Sequence, residues 1–93
     1  MTNYSRGRTR EYRVMKMLEK VGYTCFRMAG SHGLFDVIAL GKDHMKLIQV
    51  KYNQNASPAE RESIALFTLG PKEVSKEIWL FRTGRRDPII YSI

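Results

Sequence analysis

No run of apolar residues in the chain approaches the roughly 18 to 20 needed to cross a bilayer as a helix, which excludes a membrane-spanning helix. Its basic N-terminal residues are not followed by an apolar segment, so no secretory signal is expected. The single cysteine, Cys25, has no partner for an internal disulfide; set in an alternating apolar stretch, it reads as a buried core thiol in a reducing cytoplasm. Internal repeats and low-complexity segments are absent. Acidic residues are scarce, nine against sixteen Lys and Arg, giving a net charge of +7 on 93 residues. Such an excess points to a polyanionic partner, nucleic acid first. Arg6, Arg8, Arg10, Arg13, Lys16 and Lys20 face only Glu11 and Glu19 in the first twenty residues, so more than half of the excess lies in the first fifth of the chain. A solvated tail that aids solubility is the competing reading of that charge taken alone.

A chain of 93 residues, 43 % hydrophobic and with ten aromatics, makes one domain with one core of about two layers. Residues 1–7, aperiodic and rich in Thr, Asn, Ser and Gly, are expected to be a flexible basic arm, with residues 8–93 as the domain. Val14, Met17, Leu18 and Val21 follow the helical i, i+3, i+4, i+7 pattern over about residues 7–21, and Gly22 stands where a C-terminal cap belongs. Glu11 falls in line with that apolar stripe. Residues 23–28 alternate as a strand, and Ala29 to Gly33 form a tight connection. Ser57-Pro58-Ala59-Glu60 is a capping box with proline at the first helical position; the helix it opens is expected to pass Ile64, Phe67 and Leu69 and stop at Gly70-Pro71. Two short apolar runs, 77–82 and 88–93, flank a turn at Thr83 to Asp87 and read as a second hairpin. The expected fold class is α/β in the order αβββαββ.

The chemistry lies in the first hairpin. Phe35 to Leu40 and Leu47 to Lys51 read as strands around the turn Gly41-Lys42-Asp43-His44, and strands this apolar are buried on both faces. An Asp in one and a Gln and Lys two apart in the other are costly there unless they have a use. Antiparallel counting opposes Asp36 to Gln49 and Leu34 to Lys51, and the period of two puts Asp36, Gln49 and Lys51 on one face. Phosphodiester hydrolysis needs a metal and groups that orient the attacking water, and hard oxygen ligands suit Mg²⁺. Asp36 offers a carboxylate, Gln49 an amide oxygen and Val50 its peptide carbonyl. Lys51 would stabilise charge first and act as a base second, while Glu11 could hold a second ion or a metal-bound water.

Glu11 on the first helix, Ser31-His32-Gly33-Leu34-Phe35-Asp36 at the turn, and Gln49-Val50-Lys51 together resemble the PD-(D/E)XK nuclease superfamily, and within it the archaeal-type Holliday-junction resolvases. The resemblance covers about residues 6–60. It implies a restriction-endonuclease-like mixed β-sheet flanked by helices. It also implies a Mg²⁺-dependent endonuclease, with Mn²⁺ as an alternative ion, that cuts branched or four-way-junction DNA as a homodimer. Carried over by position, Glu11, Asp36 and Gln49 are metal ligands, Lys51 the catalytic lysine and Ser31 a polar active-site residue. Phe35 stands where the superfamily has Pro, a position that only shapes the strand. Gln49 replaces a charged ligand by a neutral oxygen. A homing or virus-type replication-repair nuclease of the same superfamily, or a noncatalytic DNA-binding descendant, are the alternatives. A pure binder has no obvious reason to keep Asp36, Lys51 and Glu11 together.

Arg6, Arg8, Arg10 and Arg13, with His32, are the expected DNA contacts, and a cytoplasmic, nucleoid-associated location follows, a viral origin being the other source. Away from its place in that turn motif, His32 reads as an exposed turn histidine, and so does His44, since neither has metal-ligand spacing to other His or Cys. Glu60, Arg61 and Glu62 read as the charged first turn of a helix. Trp79 and Phe81 share a strand face and read as core. Arg82, Arg85 and Arg86 have two readings, phosphate contacts or a solvated turn.

Overall fold

The apolar stripe of Val14, Met17 and Leu18 is the inner face of helix α1 (Asn3–Glu19) in the computed structural model, which describes residues 3–28, 33–67 and 74–93 and, for residues 3–8, the backbone alone. The helix is capped at Gly22 as the sequence predicts, but Val21, expected on the apolar stripe, is 71 % exposed. Gly22 takes φ +102°, a conformation that costs glycine little, and the Tyr23 and Gly22 amides donate to the Leu18 and Glu19 carbonyls at 3.1 Å each, closing a Schellman turn. Its start differs from expectation: the helical backbone already includes residues 3–7, the greater part of the expected arm. No proline interrupts them, and a nucleated helix extends at one hydrogen bond per residue fixed.

Five strands form one sheet in the order β1 (Thr24–Arg27), β2 (Val37–Leu40), β3 (Met45–Tyr52), β4 (Val74–Phe81), β5 (Ile89–Ser92). All neighbours are antiparallel except β3 and β4, which run parallel from Met45↔Val74 to Tyr52↔Phe81. A parallel pair needs a crossover, and helix α2 (Pro58–Leu66) lies in it. The element order is the expected αβββαββ, and the hairpin register, Val37↔Ile48 to Leu40↔Met45, is the one that counting from the Gly41–His44 turn requires.

Two apolar clusters sit on opposite faces of the sheet. On the α1 side Val14, Leu18, Cys25, Val37, Ala39, Ile48, Trp79 and Phe81 pack together; on the α2 side Phe35, Leu47, Ala56, Ile64 and Ile78 do so. Trp79 and Phe81 are core, each 4 % exposed. Cys25 is buried as expected, and burial pushes its thiol pKa up, the Glu19 charge adding to it. Glu77 is a buried carboxylate of the α1 side that the hairpin reading did not anticipate; it accepts from Lys46 Nζ at 2.6 Å and from Trp79 Nε1 at 2.9 Å. No described helix is long and apolar enough to cross a membrane.

Helix α2 opens on its capping box: the Glu60 amide donates to Ser57 Oγ at 3.1 Å and the Ser57 amide to Glu60 Oε1 at 2.9 Å. It stops earlier than expected, at Leu66, with Phe67 extended and its ring edge-on to Phe35 at 5.2 Å. The cause is a long-range cap. Lys76 of β4 donates from Nζ to the carbonyls of Ile64 and Ala65 at 2.8 Å each and of Phe67 at 3.0 Å, satisfying groups that a helix end leaves without partners. Replacing this ammonium should therefore loosen the helix end. Lys76→Met is expected to cost about 1 to 2 kcal/mol in denaturant unfolding; a loss of under about 0.3 kcal/mol would mean that water caps the helix equally well.

Candidate active site

Asp36 stands one residue before β2, and there the ladder changes. Its amide donates at 2.8 Å to the carbonyl of Ile48, the residue that already partners Val37. Phe35 and Ile38 both belong to the α2-side cluster although they are an odd number of residues apart, so the strand alternation breaks once between them. Counting by twos therefore does not extend to Asp36, and the expected face shared by Asp36, Gln49 and Lys51 does not follow from period alone. What joins Asp36 to β3 is its own side chain: Oδ2 accepts a hydrogen bond from the Val50 amide at 2.9 Å. Burial pushes the Asp36 carboxyl above its ordinary pKa, with the Val50 amide and the charge of Lys51 acting in the opposite direction.

Gln49 and Lys51 alternate with Ile48 and Val50 and so face the α2 side with Leu47. Lys51 Nζ lies 2.7 Å from Glu60 Oε2, an ion pair between β3 and the first turn of α2. The ammonium is the largest cause holding Glu60 below the usual carboxylate range, followed by the Ser57 amide. Glu60 thus serves two partners, one oxygen on the helix cap and the other on Lys51. The Gln49 side-chain oxygen is buried without a hydrogen-bond partner, the one such side-chain atom among the described residues. An unpaired buried acceptor costs about 1 to 3 kcal/mol, and a cation beside it would remove that cost.

Glu11 is placed differently. Its Oε1 is 3.4 Å from Arg27 Nη1 of β1, on the α1 side of the sheet, and the two side chains are only 16 % and 19 % exposed. Arg10 lies over the Tyr52 ring at 3.4 Å from its centroid, and Arg13 over Phe81 at 5.5 Å, with its guanidinium donating to the Arg86 carbonyl. Arg6 and Arg8 fall on the α1 backbone with side chains outside the described set, and Ser31 and His32 lie outside the described residues. His44 is half-buried with Nε2 2.7 Å from Ser75 Oγ, which corrects its reading as an exposed turn histidine: the parallel β3–β4 pairing brings Ser75 beside the turn. Among the described residues no three His, Cys, Asp or Glu gather where they could hold a metal.

The family model of archaeal Holliday junction resolvases (Hjc) matches residues 2–66, more than half of the chain. The chain belongs to the Hjc family. A solved structure of Hjc from Archaeoglobus fulgidus, described as a Holliday junction resolvase from an archaeal hyperthermophile, is similar at TM-score 0.68 and 21 % identity, over 88 % of this chain and 72 % of that one. At that identity the likeness carries the fold, a restriction-endonuclease-like mixed sheet. No curated protein matches the chain.

The expected residues of this Hjc-family chain therefore divide. Asp36, Val50 and Lys51 come together at the end of β3, whereas Glu11 has Arg27 as a partner across the sheet. Sequence reading missed Glu60 and Arg27. The capping box did mark Glu60, but as a helix signal, and no local pattern ties residue 60 to residue 51 or residue 27 to residue 11. The raised pKa of Asp36 has a consequence for stability. A carboxyl with a higher pKa folded than unfolded favours folding while protonated and loses that contribution as pH rises. Asp36→Asn keeps an oxygen for the Val50 amide and cannot ionise, so it should raise the thermal midpoint of the metal-free protein at neutral pH. The gain should shrink as pH falls through the raised folded value and be gone below about 4, the ordinary carboxylate value. A midpoint difference that stays constant with pH would show that ionisation of Asp36 is not its source.

Proposed function

We propose that the chain is a divalent-metal-dependent endonuclease that hydrolyses phosphodiester bonds in branched DNA, four-way junctions among them, and works as a homodimer. The observation that carries this reading is the buried, unpartnered Gln49 oxygen on the strand whose Val50 amide holds Asp36. Hard oxygen donors of this kind suit Mg²⁺, or Mn²⁺ in its place. Asp36 and Gln49 would hold the ion, with the Val50 carbonyl as a third protein oxygen. When bound, the ion supplies charge neutralisation at the phosphate and lowers the pKa of the attacking water.

The protein's own groups do the positioning. Lys51 Nζ donates to a non-bridging oxygen of the scissile phosphate as charge builds there, an interaction that strengthens towards the transition state. Glu60 keeps that ammonium at the end of β3 instead of leaving it to solvent. Asp36, tethered through one oxygen, has the other for the ion. Ser31 and His32 would touch substrate, and Arg6, Arg8, Arg10 and Arg13 would contact phosphates along α1. Two cuts in a four-way junction require two active sites related by a two-fold axis, which is the argument for the homodimer. A noncatalytic descendant would account for a neutral Gln49 but not for a lysine held by its own carboxylate partner at the same site.

Incubation with linear duplex, flap and four-way junction, with and without Mg²⁺, tests the reading. Cleavage of branched DNA should require the ion and should fall at least about 100-fold in Asp36→Asn and Lys51→Ala while both variants still bind DNA. Undiminished cutting by either variant would remove the site. A Mg²⁺ titration probes Gln49 separately. Gln49→Glu, which adds a full charge to the ligand, should lower the concentration needed for half-maximal cleavage, and Gln49→Ala should raise it strongly. If Gln49→Ala titrates like the wild type, Gln49 is a structural amide of the sheet.

A further inference from the structure

A groove of about 440 Å³ runs on the α1 side of the sheet, lined by Arg10 and Arg13 of α1, Tyr52 at the end of β3, and Arg82, Thr83 and Arg85 after β4. No acidic residue lines it, and none of these four arginines is in an ion pair among the described residues. Four cations gathered from two separate elements repel one another, a cost that an anionic ligand removes.

The groove is also held in shape. The Tyr52 hydroxyl lies 2.7 Å from Thr83 Oγ1, which accepts from Asn53 Nδ2 at 2.8 Å, while the Thr83 amide donates to Asn53 Oδ1 at 2.8 Å. Asn53 reaches this position with φ 58°, a left-handed conformation that few residues other than Gly, Asn and Asp adopt, and its amide donates to the Phe81 carbonyl at 2.7 Å. The Arg13 contact with the Arg86 carbonyl ties α1 to the same turn.

Two kinds of nucleic-acid contact are open to a basic groove with aromatic walls, base stacking and phosphate binding. Here one ring is buried and the other, Tyr52 at 42 % exposure, has one face covered. Phe81 is 4 % exposed beneath Arg13, and Arg10 covers a face of Tyr52. What the groove presents is guanidinium and hydroxyl donors, the groups that bind phosphate oxygens without reading sequence. Lys51 and Tyr52 are neighbours on β3 and point to opposite faces, so this groove is separate from the Lys51 site.

We propose that the groove between α1 and the β4–β5 turn binds the phosphodiester backbone of DNA away from the scissile phosphate. The inference rests on the reading of the chain as a DNA-acting protein but not on its chemistry at Lys51. Fluorescence anisotropy with a labelled linear duplex and with single-stranded DNA, over a range of salt and without metal, therefore tests it whether or not the protein cuts. Arg82→Ala/Arg85→Ala should bind duplex about tenfold or more weakly and lower the slope of log K against log salt by about 1.8, two phosphate contacts at about 0.9 each. Lys42→Ala, which removes an exposed charge at the β2–β3 turn, should change neither by as much as half of one contact. An unchanged slope in the double variant would overturn the groove while leaving the proposed nuclease standing. So would an equal loss per charge in Lys42→Ala, which would assign the effect to net charge. Tyr52→Leu losing single-strand affinity with the slope unchanged would make the groove a base-stacking site, again against the proposal. A wild-type protein that binds neither DNA would overturn the groove while leaving standing a nuclease confined to branched DNA.

Discussion

Strand β3 is hydrogen-bonded along both edges and covered on both faces, and the rest of the molecule is arranged around that confinement. A polar side chain on such a strand has little water to turn to, so it gains from a partner or bears part of the cost of burial. Lys46 has Glu77 and Lys51 has Glu60, two ammonium groups each matched by a carboxylate from another element. Gln49 lies between them with a donorless oxygen. Among the described residues it is the one buried side-chain atom of this kind.

The pairing of Lys51 with Glu60 also joins two levels of structure. Glu60 is the third residue of α2 and half of its capping box, so the geometry that starts the helix is the geometry that positions the lysine. Capping demands a carboxylate or amide at that position, and only one of its oxygens is used by the cap. The other is free to reach β3. A local helix signal and a long-range ion pair therefore share one side chain, and the crossover between the parallel strands delivers it to the end of β3, where Asp36 also arrives.

The sheet further separates two kinds of basic chemistry. On the α2 side Lys51 is matched by Glu60; on the α1 side four arginines converge with no carboxylate lining their groove. The first arrangement suits one phosphate at a defined position, because a held ammonium loses little freedom on engaging it. The second suits an extended polyanion, because several guanidiniums share the charge and none needs a single fixed partner.

Much of this was legible in the sequence, and the reason is locality. The αβββαββ order, the Schellman end at Gly22, the capping box at Ser57 and the β2–β3 register all depend on patterns within a few residues of each other, and each appears in the structure. Family kinship was readable because each of its pieces, Glu11, the residues before Asp36 and the Gln-Val-Lys run, is itself a short motif. Tertiary structure alone decided the rest. It ended α2 at Leu66 through Lys76, broke the strand alternation before Val37, paired Glu11 with Arg27, gave His44 to Ser75 and assembled the arginine groove from α1 and the residues after β4. Each depends on how particular groups meet in the folded chain, most of them between residues many positions apart, and no local window of sequence contains the distance between them.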